Sequence, residues 1–408
     1  MKIAIVGCGL AGMSSYLALR KFLPGDHEVT IYESHAPEPG RDPLADDLDS
    51  SKGVAPQGGV IGISANGMRV LHSLDPAIHA TIKQRGFAYE TIRLRSSSGF
   101  DLAVESRSQR EDDSTMIMAR QITWGTLREA IPDDDVVIRK VLKVTKRGQS
   151  GNSKPLISFA DGGSAEFDLV VGADGVHSTV RKQFFGAQGA DYSAVFSAYR
   201  PTKDDSLTWW SLYETKEPPS KKEVPREFVS TMLQNMYGDW KEENVQEVLK
   251  KATAPFIYPI WTVPELPTWG DGGVVLVGDA AHAMTPDIGQ GTSQAFEDSE
   301  ALGLILGRAL QQKDIPEATA VDLTVKGLYE CRLPRLTKIK HLNAEAQTHS
   351  GRRNFWVQKL IFFCIWIMPS FTWLRDMIYG SGHRTDEILF GWDADAEARK
   401  VVEKSRAF

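Results

Sequence analysis

The sequence predicts an α/β protein in which a discontinuous Rossmann-like lobe is interrupted by an inserted α+β lobe and followed by a helical C-terminus. Three observations predict it. A strand, a glycine-rich turn, a helix and a second strand follow one another between Lys2 and Glu33. An aromatic-rich segment of different character occupies Ala194 to Pro264. The buried-strand pattern then returns at Gly273–Gly278 and delivers Asp279 ahead of a long helical stretch.

Size and composition bound the rest. With 408 residues the chain exceeds a usual single domain, which predicts two interleaved lobes sharing one crevice. Hydrophobic residues make up 42% and charged residues 25%, enough for an ordinary core. The net charge is −6 with no Lys/Arg block, which argues against a nucleic-acid partner. Cys8, Cys331 and Cys364 show neither close pairing nor metal-ligand spacing, so no disulfide framework and no metal site is expected. With no leader pattern ahead of the first strand, a cytoplasmic, reducing location is the expectation. The nine uncharged residues Leu360–Met368, ended by Pro369, are half of what a spanning helix requires. They read as a buried C-terminal helix or subunit contact, with membrane-surface attachment as the alternative.

In chain order, Lys2–Val6 reads as a buried strand, Gly7–Gly12 as a tight turn, Met13–Phe22 as a helix and Glu28–Tyr32 as the second strand. Ser34–Gln57, rich in Pro, Gly, Asp and Ser, reads as a loop with a solvated acidic face. Asn66–Leu74 reads as a helix. Thr91–Val104 and Val136–Ala160 alternate as strands with hairpin links, and Phe167–Gly172 is another buried strand. The segment 194–264 predicts an open sheet with helices, and a helix follows from about Ser293 to Gln311.

Two motifs carry chemistry. Gly7-Cys8-Gly9-Leu10-Ala11-Gly12 fits G-x-G-x-x-G between a strand and a helix. Gly7 permits the turn, Gly9 a close approach of backbone to a pyrophosphate, and Gly12 close helix packing. The N–H groups that open the helix then face the phosphates. Glu33 ends the second strand 21 residues after Gly12, placed to accept from a ribose 2′-OH and to disfavour a 2′-phosphate, so FAD or NAD is expected. Further along, Val274–Gly278 delivers Asp279 at a strand end, and Pro286 with Gly289-Gln290-Gly291-Thr292 opens a helix, a second cradle for a phosphate or a flavin ring. Asp174 has two readings, cofactor contact or turn and helix cap. His282 lacks partners for a metal and reads as a structural or flavin-adjacent histidine.

The ordered set of Gly7–Gly12, Asp174-Gly175-x-His177-Ser178-x-x-Arg181 and Gly278-Asp279 with Pro286 resembles the class A, single-component flavin monooxygenases of the para-hydroxybenzoate hydroxylase fold. The stretch Gly289–Asp298 is similar to that of fungal secondary-metabolism members. The resemblance covers Met1 to about Leu310. It implies FAD as cofactor, with Gly7, Gly9, Leu10, Ala11, Gly12 and Glu33 at its adenosine and diphosphate, Asp279 at the ribityl chain, and Pro286, Gly289, Gly291 and Thr292 beside the ring. Arg120 resembles the family's FAD-contacting arginine. Gly58–Gly62 resembles its Gly-Ala-Gly-Ile-Gly segment, with Val60 in place of a glycine, and puts Gly59 and Val60 at the cofactor.

The division this implies is 1–80, 111–185 and 269–345 for the FAD-binding parts, 81–110 and 186–268 for the strands and body of the substrate lobe, and 346–408 for the C-terminal helical segment. The implied activity is NAD(P)H- and O2-dependent hydroxylation or epoxidation of an electron-rich small molecule through a flavin C4a-hydroperoxide. Only one G-x-G-x-x-G is present, so NAD(P)H has no nucleotide domain of its own, and the resemblance implies that it visits as a transient co-substrate. Tyr199-Arg200 resembles a substrate-facing step, which points to Arg200 with Tyr213 as catalytic residues; the structural alternatives are a salt-bridged surface Arg and a core Tyr. A reductase, a halogenase and a non-catalytic flavoprotein remain as other readings, and a monomer and a homodimer are equally open.

Overall fold

The computed structural model describes residues 1–36, 60–88, 91–106, 115–148, 153–185, 191–198, 210–213, 226–251, 258–350 and 387–406. Its centre is a six-stranded sheet in the order Gly270–Asp271, Val274–Leu276, Leu169–Gly172, Lys2–Val6, Glu28–Glu33, Val136–Ile138. All neighbours run parallel except the first pair. Ile3 stands opposite both Leu169 and Val29, and Ile5 opposite both Val171 and Ile31. These apolar strands are covered on both faces, as parallel strands require, and Ile3, Ile5, Ile31, Val171 and Val275 are fully buried. Each such side chain contributes about 2 kcal/mol of transfer free energy.

The helix Leu10–Phe22 packs on Gly291–Leu310, and glycines set their separation. A Cβ on Gly303 would lie 2.8 Å from the Ala18 carbonyl oxygen, and one on Gly307 would lie 2.2 Å from that of Phe22. Between the two helices, Ser299 Oγ meets Ser14 Oγ at 2.8 Å and Ser15 Oγ at 3.0 Å, so the buried hydroxyls satisfy one another.

Smaller sheets surround this core. Val60–Ile63, Met116–Ala119 and Phe87–Ala88 form one, and Val141–Thr145, Leu156–Phe159 and Ser164–Glu166 form an antiparallel meander. Asp191–Ala198 pairs antiparallel with both Trp210–Tyr213 and Tyr258–Thr262. The helices Arg226–Tyr237 and Glu243–Lys251 lie between these strands in sequence. The hairpin Thr91–Arg95/Asp101–Ser106 joins this lobe through the Arg95–Glu242 ion pair at 2.6 Å and the Lys241 N–H to the Ser97 carbonyl at 2.7 Å.

Three elements differ from the sequence expectation. Val136–Ile138 is not in a hairpin; it extends the parallel sheet beside Glu28–Glu33, and the Arg139 N–H to the Glu33 carbonyl continues that ladder. The first helix begins at Leu10, because Gly12 fits inside its first turn rather than outside it. A 34-residue helix, Glu317–Ser350, runs through the division set at 345/346. Its apolar residues form no stripe and Pro334 lies within it, so periodicity did not reveal it. Leu360–Met368 lies outside the described residues. Among the described residues, no helix is long and apolar enough to cross a membrane.

Candidate functional site

The glycine-rich turn leaves the sheet at the carboxyl end of its central strand. Gly7 adopts φ +103°, and a Cβ there would fall 2.7 Å from the Ala173 carbonyl oxygen. At Gly12 a Cβ would sit 1.9 Å from the Gly7 carbonyl oxygen, so both positions exclude a side chain. Gly9 differs: a Cβ there meets nothing within 4 Å, leaving backbone open to an approaching group. It is the N-cap of Leu10–Phe22 and supplies no side-chain acceptor, and the first turn carries no acid. The opening N–H groups, including those of Leu10, Ala11 and Gly12, therefore present unpaired donors and a positive dipole end.

The Cys8 peptide is clamped from both sides. Its N–H donates to Glu33 Oε2 at 2.8 Å, and its carbonyl accepts from Trp124 Nε1 at 2.8 Å. Glu33 Oε1 accepts from the Ser34 and His35 N–H groups at 2.7 and 3.1 Å. Burial, reinforced by Glu33, pushes the Cys8 thiol up to about 11, which removes it as a nucleophile. Trp124 lies on the helix Arg120–Glu129, and no signal in the sequence points to its indole N–H reaching the turn.

The Gly278–Asp279 turn abuts the glycine-rich one. Gly278, at φ +57°, would place a Cβ 2.8 Å from that of Ala11, and it delivers the exposed Asp279. After the exposed Pro286, its carbonyl accepts the Gly289 N–H at 2.9 Å. Gly289 takes φ +65°, and both Gly289 and Gly291 face open space. Gly291 starts a 20-residue helix, with Thr292 half-buried behind it, no side-chain cap and no acid in its first turn. A Cβ on Gly62 would approach the Gly289 carbonyl to 4.0 Å, so the strand Val60–Ile63 lines the same turn. Val60 pairs with Ala119, which leads into the exposed Arg120 at the start of the helix Arg120–Glu129.

Asp174 turns its carboxylate inward. Oδ1 accepts from Ser178 Oγ at 2.5 Å, and Oδ2 from the Thr179 and Val180 N–H groups at 2.6 and 3.1 Å. These bonds cap the turn and the helix that follows it. Burial raises its pKa against these hydrogen bonds. Arg181, fully buried, donates to the Ala280 carbonyl at 2.9 Å and to that of Val176, tying the Asp174 turn to the Asp279 turn. His282 is buried, with Nε2 2.5 Å from Asp298 Oδ2 and its ring 5.0 Å from that of Trp269. No cluster of metal-ligating side chains occurs among the described residues. Gly59 and Arg200 lie outside the described residues, and Tyr213 is placed by its backbone alone, opposite Val195.

These features fit FAD. Glu33 and Asp279 follow strands separated by two others, so their ends stand three strand spacings apart, roughly 14 Å. An extended dinucleotide covers that span at the carboxyl edge of a parallel sheet, where open α/β folds bind ligands. The open faces at Gly9, Gly289 and Gly291 leave the backbone room that a diphosphate and a planar ring need.

Behind this edge lies a buried ionic network that sequence reasoning did not foresee. Arg332 donates from Nε to Asp298 Oδ1 at 2.8 Å, from Nη1 to Glu297 Oε2 at 2.5 Å and from Nη2 to Gln294 Oε1 at 2.7 Å. All four residues are fully buried. Burial would raise the Asp298 carboxyl, but His282 and Arg332 outweigh it and hold it below the usual range. The only hint was charge within the stretch Ser293–Gln311, which the sequence predicts as a helix.

Residues 161–317 match the family model described as an FAD binding domain. Over 79% of its length the chain is 27% identical to the chloroplastic zeaxanthin epoxidase of Spinacia oleracea, of which the match covers 50%; the chain thus spans about half the length of that relative. It is 24% identical over its full length to the FAD-dependent monooxygenase dpchE of Colletotrichum higginsianum, covering 90% of it. The crystal structure of Klebsiella pneumoniae HpxO complexed with FAD and uric acid superposes with a TM-score of 0.70, over 98% of this chain and 97% of that one. At 17% identity that likeness is one of fold. The chain thus carries an FAD binding domain, is similar to FAD-dependent monooxygenases and shares the fold of HpxO.

Proposed function

We propose that this protein is a monooxygenase that uses NAD(P)H and O2 to hydroxylate or epoxidise an electron-rich small organic molecule. The observation that carries the reading is the convergence of the Gly7–Gly12, Gly278–Asp279 and Gly289–Thr292 turns on one sheet edge, with open space at Gly9, Gly289 and Gly291. The monooxygenases among its relatives support the same class.

Bound FAD would supply the electron transfer and oxygen activation. The chain's own part is binding and orientation. The N–H groups opening the helix Leu10–Phe22 hold the diphosphate, and Glu33 accepts from the adenosine ribose. Asp279 accepts from the ribityl hydroxyls, while the N–H groups from Gly289 to Thr292, with Val60 and Arg120 alongside, line the ring. In this reading 1–80, 111–185 and 269–345 form the cofactor lobe, and 81–110 and 186–268 wall a dry substrate pocket. Arg200 and Tyr213 act on the substrate from there. NAD(P)H enters transiently, without a nucleotide domain of its own. The buried free thiols of Cys8 and Cys331 support a reducing, cytoplasmic setting.

The experiment is isotopic. Purified protein is given FAD, NADPH, candidate polyketides, indoles and terpenoids, and labelled O2. One labelled oxygen atom per product, with matching NADPH consumption, is expected. NADPH oxidation that never places label in a product refutes monooxygenation in favour of a reductase. A protein that stays colourless after incubation with FAD refutes the flavoenzyme reading altogether.

A further inference from the structure

Arg332 lies on the helix Glu317–Ser350, outside every cofactor motif, yet its guanidinium is the node at which the cofactor-facing turns meet. Through Asp298 it reaches the third motif, because Asp298 Oδ2 also accepts the Gly278 N–H at 2.8 Å and lies 2.5 Å from His282 Nε2. That N–H belongs to the turn that aims Asp279. Through Gln294 it reaches the ring-side turn, because Gln294 Nε2 donates to Gln290 Oε1 at 3.1 Å. Through Glu297 it reaches the segment after Val60–Ile63, because Asn66 Nδ2 donates to Glu297 Oε1 at 2.6 Å and to Gln290 Oε1 at 3.2 Å.

All three guanidinium nitrogens are thus committed, to two carboxylates and an amide that lie on one face of the helix Gly291–Leu310. A planar fork does this and an ammonium does not. Two fully buried carboxylates persist only while such partners hold them.

A second arginine and the C-terminal segment close the node from the far side. Arg335 pairs with Glu297 at 2.6 and 2.7 Å and donates to the Ile388 and Leu389 carbonyls at 2.6 and 2.9 Å. The Trp392 ring covers both guanidiniums, 4.7 Å from Arg332 and 5.3 Å from Arg335. Its own Nε1 is buried with no hydrogen-bond partner among the described residues, so the ring face is what this position turns to the two arginines.

We propose that Arg332 is the positioning residue of the flavin cradle, fixing the Gly278–Asp279 and Gln290–Thr292 turns relative to each other, with residues 388–392 clamped over it. The proposal rests on the crevice being the FAD site. Arg332 is fully buried behind these turns and acts through Asp298, Glu297 and Gln294.

The test uses the full chain, stripped of flavin and titrated with FAD while fluorescence and the visible flavin spectrum are read. Arg332→Lys is expected to fold, to bind FAD about tenfold more weakly through loss of charge-assisted bonds, and to alter the flavin absorption envelope. Trp392→Leu is expected to weaken FAD roughly threefold, and Trp392→Phe, which keeps a ring face, to restore wild-type binding. Arg308→Ala breaks the Arg308–Asp395 pair elsewhere on the C-terminal contact. It is expected to lower the melting temperature of the flavin-free protein and leave FAD affinity and spectrum unchanged. Folded Arg332→Lys with wild-type affinity and spectrum overturns the proposal. If that variant does not fold, Trp392→Leu decides, and wild-type binding by it overturns the proposal equally. A wild-type chain that takes up no FAD overturns the site reading itself, a result distinct from variants that match a flavin-binding wild type.

Discussion

Replacing Glu300 by Gln should abolish a pH dependence of stability that the fold builds into one carboxyl group. Glu300 lies on the helix Gly291–Leu310, beside Ser73 and the start of the C-terminal helix Ala394–Arg406. Burial pushes its pKa up from 4.5 to about 7; a hydrogen bond with Ser73 opposes this, and Glu297, Asp393 and Asp395 reinforce it. The folded chain therefore holds a proton that the unfolded chain releases. Below pH 4.5 both states are protonated and no penalty exists. As the pH rises from there to about 7, the unfolded state ionises first and stability falls; above that the full penalty, about 3 kcal/mol, is in place. Glu300→Gln keeps the shape without the charge. Urea denaturation at pH 4.5 and pH 8 should show the variant close to wild type at the lower pH and more stable at the higher, by up to about 3 kcal/mol. An equal difference at both values refutes the raised pKa, and a variant less stable at pH 8 refutes the repulsion from Asp393 and Asp395.

Two further outcomes follow from the cradle's geometry. Trp124→Phe removes the indole N–H that holds the Cys8 carbonyl, a loss of about 1 kcal/mol that calorimetry should read as roughly fivefold weaker FAD binding; unchanged affinity refutes the clamp. Alanine at Gly307 and at Gly9 should fail in opposite ways. At Gly307 the new methyl meets the Phe22 carbonyl and should cost about 1–3 kcal/mol in the flavin-free melt. At Gly9 it meets nothing and should leave that melt unchanged while hindering FAD uptake; if Gly9→Ala binds FAD normally, the open face is not where the diphosphate lies.

Much of the region around the parallel sheet was legible in the sequence because its signals are local. The runs KIAIV and VVLVG announce strands buried on both faces, and glycines at 7, 9 and 12 announce a turn that few other residues can make. Asp279 and Gly289–Thr292 were legible for the same reason, each being punctuation at the end of a strand or the start of a helix. The sequence also left Asp174 undecided between contact and cap, since both roles want a carboxylate at that point in a turn.

What only the tertiary structure decided lies in pairs far apart in the chain. Val136–Ile138 joins the parallel sheet because Glu28–Glu33 offers it an edge, a fact about a strand a hundred residues earlier. The Trp124 indole finds the Cys8 carbonyl across 116 positions, and Arg332 finds Asp298 across 34 and Glu297 across 35. Periodicity reports which face of an element is apolar. A buried charge breaks that pattern, and it becomes intelligible only when the fold brings its partner to within a hydrogen bond.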